Sequence, residues 1–317
     1  MRKLFKKILF LFFFFHLSQI AQALPLNQRW EIELQHPESG FTEELKKKLN
    51  QRHVVFIDGI MNEAAQLIGN YFYDNIAEIE NLGIPFSHIS PSSRRSIPEN
   101  AETLTLEIQR IYSQVQVPLI LVGHSKGAAE ALYALLKYPE LMTANQVDRA
   151  VLINSAIGGS PLTQDLVGGF FGNCLQIFLN SSIHSLSPAK AHENFKNIYE
   201  SFHFKIQETA FQDISRRIFY IRSFYSPGES LSMGIQTVLF FFKQPLNHKN
   251  QHDGLLLVTD QMLNLSPPFG IDLGVLKSDH IELVVSGQFS RSNSEQRRAF
   301  TRAFLQQIYE ETEIQPQ

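Results

Sequence analysis

Apolar and polar positions along this chain fall into short apolar runs separated by stretches of helical period. His53-Val54-Val55-Phe56-Ile57 ends at Asp58-Gly59 and predicts a strand. Asn62 to Leu82 places Ala65, Ile68, Tyr71, Phe72 and Ile76 near helical spacing and predicts a helix. Pro85 to Ile89 predicts a short strand, and Pro98 to Val115 a helix with apolar Leu104, Leu106, Ile108 and Ile111. Val117 to Val122 is uninterruptedly apolar, the pattern of a strand buried on both faces. Ser125 to Leu136 is an Ala/Leu-rich helix, and Arg149 to Ile153 and Ile218 to Ile221 read as further strands. Ser294 to Glu311 closes the pattern as an amphipathic helix, with Phe300, Phe304, Leu305 and Ile308 on one side.

Strand and helix in alternation predict an α/β fold, a mostly parallel sheet flanked by helices on both faces. Strand twist makes its crossovers right-handed. The stretch 158–213 breaks the rhythm and predicts an inserted helical cap over the strand ends, where ligands sit in such sheets. That cap includes the glycine- and phenylalanine-rich Val167-Gly168-Gly169-Phe170-Phe171-Gly172, followed by Ile177, Phe178 and Leu179.

Composition narrows the class. The chain has 317 residues, 44% hydrophobic and 19% charged, which excludes a disordered or fibrous protein. A formal net charge of −3 leaves no basic excess for nucleic acid. The N-terminus reads differently from the rest. Arg2, Lys3, Lys6 and Lys7 precede the apolar run Ile8 to Phe15, and Ala21-Gln22-Ala23 then supplies a small-x-small pattern. This is the layout of a secretory signal peptide over 1–23, too short in its apolar part to span a bilayer, which takes about 20 residues. The expectation is a chain exported through that segment, periplasmic or secreted, with one domain over 24–317; an uncleaved N-terminal anchor is the alternative. Val238 to Phe242 is a five-residue apolar run and reads as a buried strand or helix face. The single cysteine, Cys174, forms no intrachain disulfide and reads as small buried filler.

The chemistry centres on Gly123-His124-Ser125-Lys126-Gly127, a G-x-S-x-G pattern. The bare pattern arises often by chance; its setting carries the weight. A buried strand precedes it and a good helix follows, so the serine sits on a sharp turn at a helix N-terminus. The glycines keep side chains out of the adjacent strand and helix, and the Lys126 N–H faces any oxyanion formed at the serine.

With this motif the chain resembles the α/β-hydrolase family, lipase/esterase type, over roughly Arg52 to Tyr309. Three further segments match by type and order. Val54 to Ile60 resembles the early strand and oxyanion-hole turn; the family commonly has His-Gly where this chain has Asp58-Gly59. The resemblance implies Ile60 N–H as the second donor, beside Lys126 N–H, with Asp58 as a turn residue. His252-Asp253-Gly254-Leu255-Leu256-Leu257-Val258 resembles the segment of the catalytic acid, implying Asp253, with Asp260 as runner-up. Leu276 to Val284 resembles the late strand, loop and helix that carry the base, implying His280; Asp279 is a poor partner for it because adjacent side chains diverge. The order Ser125, Asp253, His280 is the family's order.

The remaining histidines compete poorly: His124 sits inside the elbow and packs beneath it, and His184, His192 and His203 lie in the expected cap. Asn154 to Pro161 loosely resembles a site-lining segment. No cluster has metal-ligand spacing and no phosphate-binding loop is present, so neither metal nor cofactor is expected. The resemblance implies a serine esterase or lipase acting on a small-molecule or lipid ester, with peripheral contact with a lipid surface. Thioesterase or amidase activity on the same triad, and an inactive hydrolase-fold binding protein, are the alternatives.

Overall fold

The computed structural model describes residues 24–60, 70–165, 181–182, 184–225, 231–233, 235–236, 251–264, 266–287 and 290–314. The expected signal peptide, Cys174, the phenylalanine-rich part of the expected cap, the run Val238 to Phe242 and residues 62–69 of the first expected helix lie outside them.

The strands are β1 (His53–Ile57), β2 (Asn70–Tyr71), β3 (Phe86–Ile89), β4 (Leu119–His124), β5 (Val147–Ile153), β6 (Ile218–Phe224), β7 (Ile271–Lys277) and β8 (Val285–Ser286). Six form one sheet in the order β3-β1-β4-β5-β6-β7, every pair parallel. β2 and β8 form a separate antiparallel ribbon.

Among the described residues, the helices of eight or more residues are α1 (Leu26–Gln35), α2 (Glu43–Asn50), α3 (Tyr73–Asn81), α4 (Ile97–Val115), α5 (Ser125–Lys137), α6 (Pro188–Lys205), α7 (Glu208–Ser215) and α8 (Ser294–Ile314). Among the described residues, no helix is long and apolar enough to cross a membrane. Local chemistry sets the start of α4: Ser96 and Glu99 form a reciprocal capping box, with Pro98 in the first turn.

Strand register explains why the central runs are apolar throughout. Val55, Leu121, Ala150 and Ile218 align across four strands, and Phe56, Val122, Val151 and Phe219 align in the next row. The first row faces a layer built from α4, α5, α6 and α7, including Leu104, Leu132, Phe195 and Phe211. The second faces α1, α2, α3 and α8, including Leu26, Leu49, Ile79 and Phe304. Successive strand residues therefore enter opposite cores, so polar alternation is absent. The described helices of 188–215 pack in the first layer, alongside α5.

Two expectations need correction. The helix expected from Asn62 starts, in its described part, only at Tyr73, because Asn70 and Tyr71 pair with β8 and Phe72 takes a left-handed conformation (φ 52°). The helix expected after His280 is instead a turn leading into β8, with the next helix beginning at Ser294. The β2–β8 ribbon, with the bond from Phe72 N–H to Val284 O at 2.6 Å, ties these two segments together.

Charge holds the outer face of the second layer. Arg302 on α8 is buried and pairs with Glu33 at 2.9 Å and Glu78 at 3.0 Å, both fully buried, and with the half-exposed Glu295. Glu33 also accepts from the Gln306 side-chain amide and from the Glu38 N–H. Removing one partner of such a cluster strands the others without water. Arg302→Met is therefore expected to cost about 3–5 kcal/mol in urea unfolding at pH 7. Arg110→Ala, which breaks the exposed pair with Glu107 on α4, is expected to cost under about 1 kcal/mol. Equal losses from the two would contradict this account.

Candidate active site

The sheet changes direction between β1 and β4. The next strand of the sheet after β1 lies on one side of the pair, and the strand after β4 lies on the other. Connections leaving in opposite directions open a crevice at the carboxyl ends of these neighbours. Asp58-Gly59-Ile60 follows β1 at this point, and Ser125 follows β4.

Ser125 has φ +55°, a left-handed conformation that a residue with a side chain rarely adopts. The turn is sharp enough for α5 to begin at the serine itself, directly after His124 ends β4. Close approach on both sides demands the glycines. A Cβ on Gly123 would lie 2.7 Å from Ala128 Cα, and one on Gly127 would lie 2.1 Å from Asp58 O. A Cβ on Gly59 would lie 3.0 Å from Ser125 Cβ, so the turn after β1 rests directly against the serine. Lys126 follows in the first turn of α5, where backbone N–H groups have no partner within the helix.

Two loops from the other half of the sheet meet the serine. His280 Nε2 lies 2.9 Å from Ser125 Oγ, and His280 Nδ1 lies 2.7 Å from Asp253 Oδ2. All three side chains are buried. The carboxylate can only accept, so Nδ1 carries the proton and Nε2 is left to accept from the serine hydroxyl. Asp253 is held on both oxygens: Oδ1 accepts from the N–H groups of Leu255 and Leu256 at 2.9 and 2.8 Å, and Oδ2 also accepts from Gln261 Nε2 at 3.1 Å. Gln261 is itself pinned to the backbone of Ser223 on β6 by two bonds of 2.8 and 3.0 Å. Sequence reasoning missed Gln261, which carries no motif signal.

The runner-up acids do other work. Asp279 turns away from the imidazole and accepts from the N–H groups of Ser232, Ile281 and Glu282, while the Glu282 side chain accepts from Asp279 N–H. These bonds shape the turn that presents His280. Asp260 lies against Gly158, and burial raises its pKa above the ordinary carboxylate range. Asp58 is more than a turn residue. It is buried, and its carboxylate accepts from His88 Nε2 at 2.6 Å and Ser90 Oγ at 2.5 Å, so it anchors the turn after β1 to the end of β3. Ile60 is half-buried on that turn, and the Tyr71 hydroxyl reaches its carbonyl at 3.4 Å.

Below the elbow, the Lys126 side chain is buried and its Nζ lies 2.5 Å from Glu130 Oε1. Asn100 Nδ2 donates to the same oxygen at 2.6 Å and to Ser92 O at 2.8 Å. Burial pushes Glu130 up to about 7, against the pull of Lys126. Ser160 Oγ donates to Leu255 O at 2.7 Å and links the loop after β5 to the acid's loop. A cavity of about 140 Å³ lies beside that loop, lined by Ile157, Phe195, Met262 and Leu263 together with His192 and Asp260. His203 stacks on Tyr199 within α6, and the His184 carbonyl accepts from the Ser187 hydroxyl. No group of three or more His, Cys, Asp or Glu among the described residues is arranged to hold a metal ion.

No protein-family model matches the chain, and no curated protein does. Solved structures do. A metagenomic carboxyl esterase aligns with a TM-score of 0.61 at 20% identity, covering 82% of this chain and 76% of that one. The mature lipase BlEst2 of Bacillus licheniformis aligns with a TM-score of 0.50 at 18% identity, covering 72% of this chain and 84% of that one. With the parallel sheet, the two helical layers and the strand–serine–helix turn, this likeness identifies the architecture: the chain has the α/β-hydrolase fold.

Proposed function

We propose that this protein is a serine hydrolase that cleaves carboxylic esters through an acyl-enzyme intermediate. The observation that carries the reading is the continuous relay of two hydrogen bonds, Asp253 to His280 to Ser125, at 2.7 and 2.9 Å. Ser125 stands where β4 passes into α5, and Asp253 and His280 come from two separate loops. His280 Nε2 takes the Ser125 proton as Oγ attacks the ester carbonyl. Asp253 steadies the imidazolium without taking its proton. The N–H groups of Lys126 and Ile60 hold the oxyanion, each worth about 3 kcal/mol of barrier. His280 then protonates the leaving alcohol, and water, activated by the same base, releases the acid. No metal or cofactor enters these steps.

The substrate class we propose is a lipid or acyl ester. The apolar part of the cavity lined by Ile157, Phe195, Met262 and Leu263 supports it, because Ala156, the residue before Ile157, bonds through its N–H to Ser125 O at 3.1 Å. The stretch 167–172 is rich in phenylalanine by sequence, a composition suited to acyl chains. Peripheral contact with a lipid surface and export through the N-terminal segment belong to the same reading.

Four measurements test it. Ser125→Ala is expected to lower ester hydrolysis by at least about 10⁴-fold and to abolish labelling by a fluorophosphonate probe, with the melting temperature held or raised as the φ strain at 125 is unchanged. Wild-type rates in that variant would end the proposal. Asp253→Asn keeps the shape but reverses the tautomer preference of His280, and is expected to lower kcat by about 10⁴-fold with little change in KM. Across a p-nitrophenyl ester series, kcat/KM is expected to rise from acetyl to longer acyl chains; strict preference for acetyl esters would contradict the lipid class. N-terminal sequencing of the protein recovered from its native host is expected to begin at Leu24.

A further inference from the structure

We propose that His124 and Asn154 are positioning residues for the base: together they grip the main-chain carbonyl of His280 and hold its ring in register with Ser125. The proposal rests on the hydrolase reading above for its kinetic consequence and on geometry alone for its structural one.

His124 ends β4 and is fully buried; its Nε2 lies 2.8 Å from His280 O. Asn154 follows β5, is fully buried, and its Nδ2 lies 3.1 Å from the same oxygen. A carbonyl has two acceptor positions, and these two donors fill them. The other side of the residue is tied as well: His280 N–H donates to Asp253 O at 2.8 Å. The base is thereby cross-linked through its own backbone to the acid's residue on one side. On the other side it is joined to the residue preceding the nucleophile. These ties on the His280 main chain add to the Asp279 and Glu282 bonds that hold the turn at 278–282.

Two features argue against simple packing. Each donor is bought with an unpartnered atom, since neither His124 Nδ1 nor Asn154 Oδ1 has a hydrogen-bond partner among the described residues. Asn154 also sits at φ +45°, a left-handed conformation. An apolar residue at 124 and a glycine at 154 would carry neither an unpartnered polar atom nor the left-handed strain. Retaining polar groups there is explained by the carbonyl they share.

The chemistry also requires a particular state of His124. A carbonyl only accepts, so Nε2 must carry the proton. Burial and the nearby His280 push the pKa of His124 well below the ordinary histidine value, which keeps the ring neutral. The two rings are 4.8 Å apart, and a charged His124 would oppose the imidazolium that His280 must become. Facing His124 are Tyr71, from β2, and His280; neither brings a fixed charge.

The test compares His124→Phe, which fills the space without a donor, His124→Gln, which restores a donor near Nε2, and Asn154→Gly, which relaxes the backbone and removes the donor. Steady-state kinetics on a p-nitrophenyl ester are read beside the downfield proton resonance of the Asp253–His280 bond. His124→Phe and Asn154→Gly are expected to lower kcat by roughly 10–100-fold with KM within about twofold, as for a sub-ångström to one-ångström misplacement. Both should shift or broaden the resonance, and His124→Gln should recover most of the lost kcat. Wild-type kcat with an unchanged resonance in both donor-less variants overturns the proposal, as does a His124→Gln variant no better than His124→Phe. The resonance needs no substrate. Its loss in the two variants of a chain that cleaves no ester would therefore support the grip while removing the hydrolase reading.

Discussion

One constraint organises this molecule: the chain must reverse from strand to helix within a single residue, Ser125, against a second strand's exit turn. A left-handed residue with a side chain costs on the order of 1–3 kcal/mol and persists only where its surroundings over-determine it. Here they do. Gly127 lies so close to Asp58 O that any side chain would displace the turn after β1. That turn is in turn held by Asp58, whose carboxylate is fastened to His88 and Ser90 at the end of β3. The serine's strain is thus braced by three adjacent strands, β3, β1 and β4, whose parallel register is itself set by two apolar cores. A site on rigid element ends holds its geometry more tightly than one carried by loops.

Buried charge serves two different ends in the structure. The Glu33–Arg302–Glu78 cluster joins the first described helix to the last helix and to α3, elements distant in sequence whose apolar faces alone leave their azimuth loosely set. The Lys126–Glu130 pair is local, one helical turn apart, and it reaches through Asn100 to the backbone of Ser92. Its place one residue after Ser125 ties the first turn of α5 to the segment that precedes α4. Desolvation makes such a pair expensive, and the rise of Glu130 to about 7 is the sign of that cost.

Much of this architecture is legible from residue pattern, and the exceptions have physical causes. The four central strands, β1, β4, β5 and β6, read directly because burial on both faces removes polar alternation, and α4, α5 and α8 read from their period. β7 is harder: at the sheet edge, Asp272 and Gly274 interrupt its apolar run, and Arg222 on β6 pairs with Asp272. α1 is nearly illegible, since its buried Arg29 and Glu33 satisfy themselves against α8 and look like a solvated face in sequence. Asn62 to Leu82 has helical spacing, yet Asn70 and Tyr71 are taken by a strand partner more than two hundred residues away. At the site, Ser125, Asp253 and His280 could be singled out because each stands in a recognisable local setting. Gln261 stands in no such setting, and nothing in the residue pattern pairs His124 or Asn154 with the His280 carbonyl, because what matters about them is one hydrogen bond to a distant backbone or carboxylate atom.

That asymmetry follows from how such a site must be built. A proton relay needs three side chains at distances near 2.8 Å, and motif chemistry supplies the groups but not the tolerance. The tolerance comes from ordinary residues that tie one segment to another: Gln261 from Asp253 to β6, His124 and Asn154 from the ends of β4 and β5 to His280, Asp279 and Glu282 within the turn around His280. Several of these ties break a local rule, through an unpartnered buried atom or a left-handed backbone. Folding stability alone would favour apolar replacements there. Violations of local consistency gathered around one crevice are what selection for a fixed geometry, rather than for stability, leaves behind.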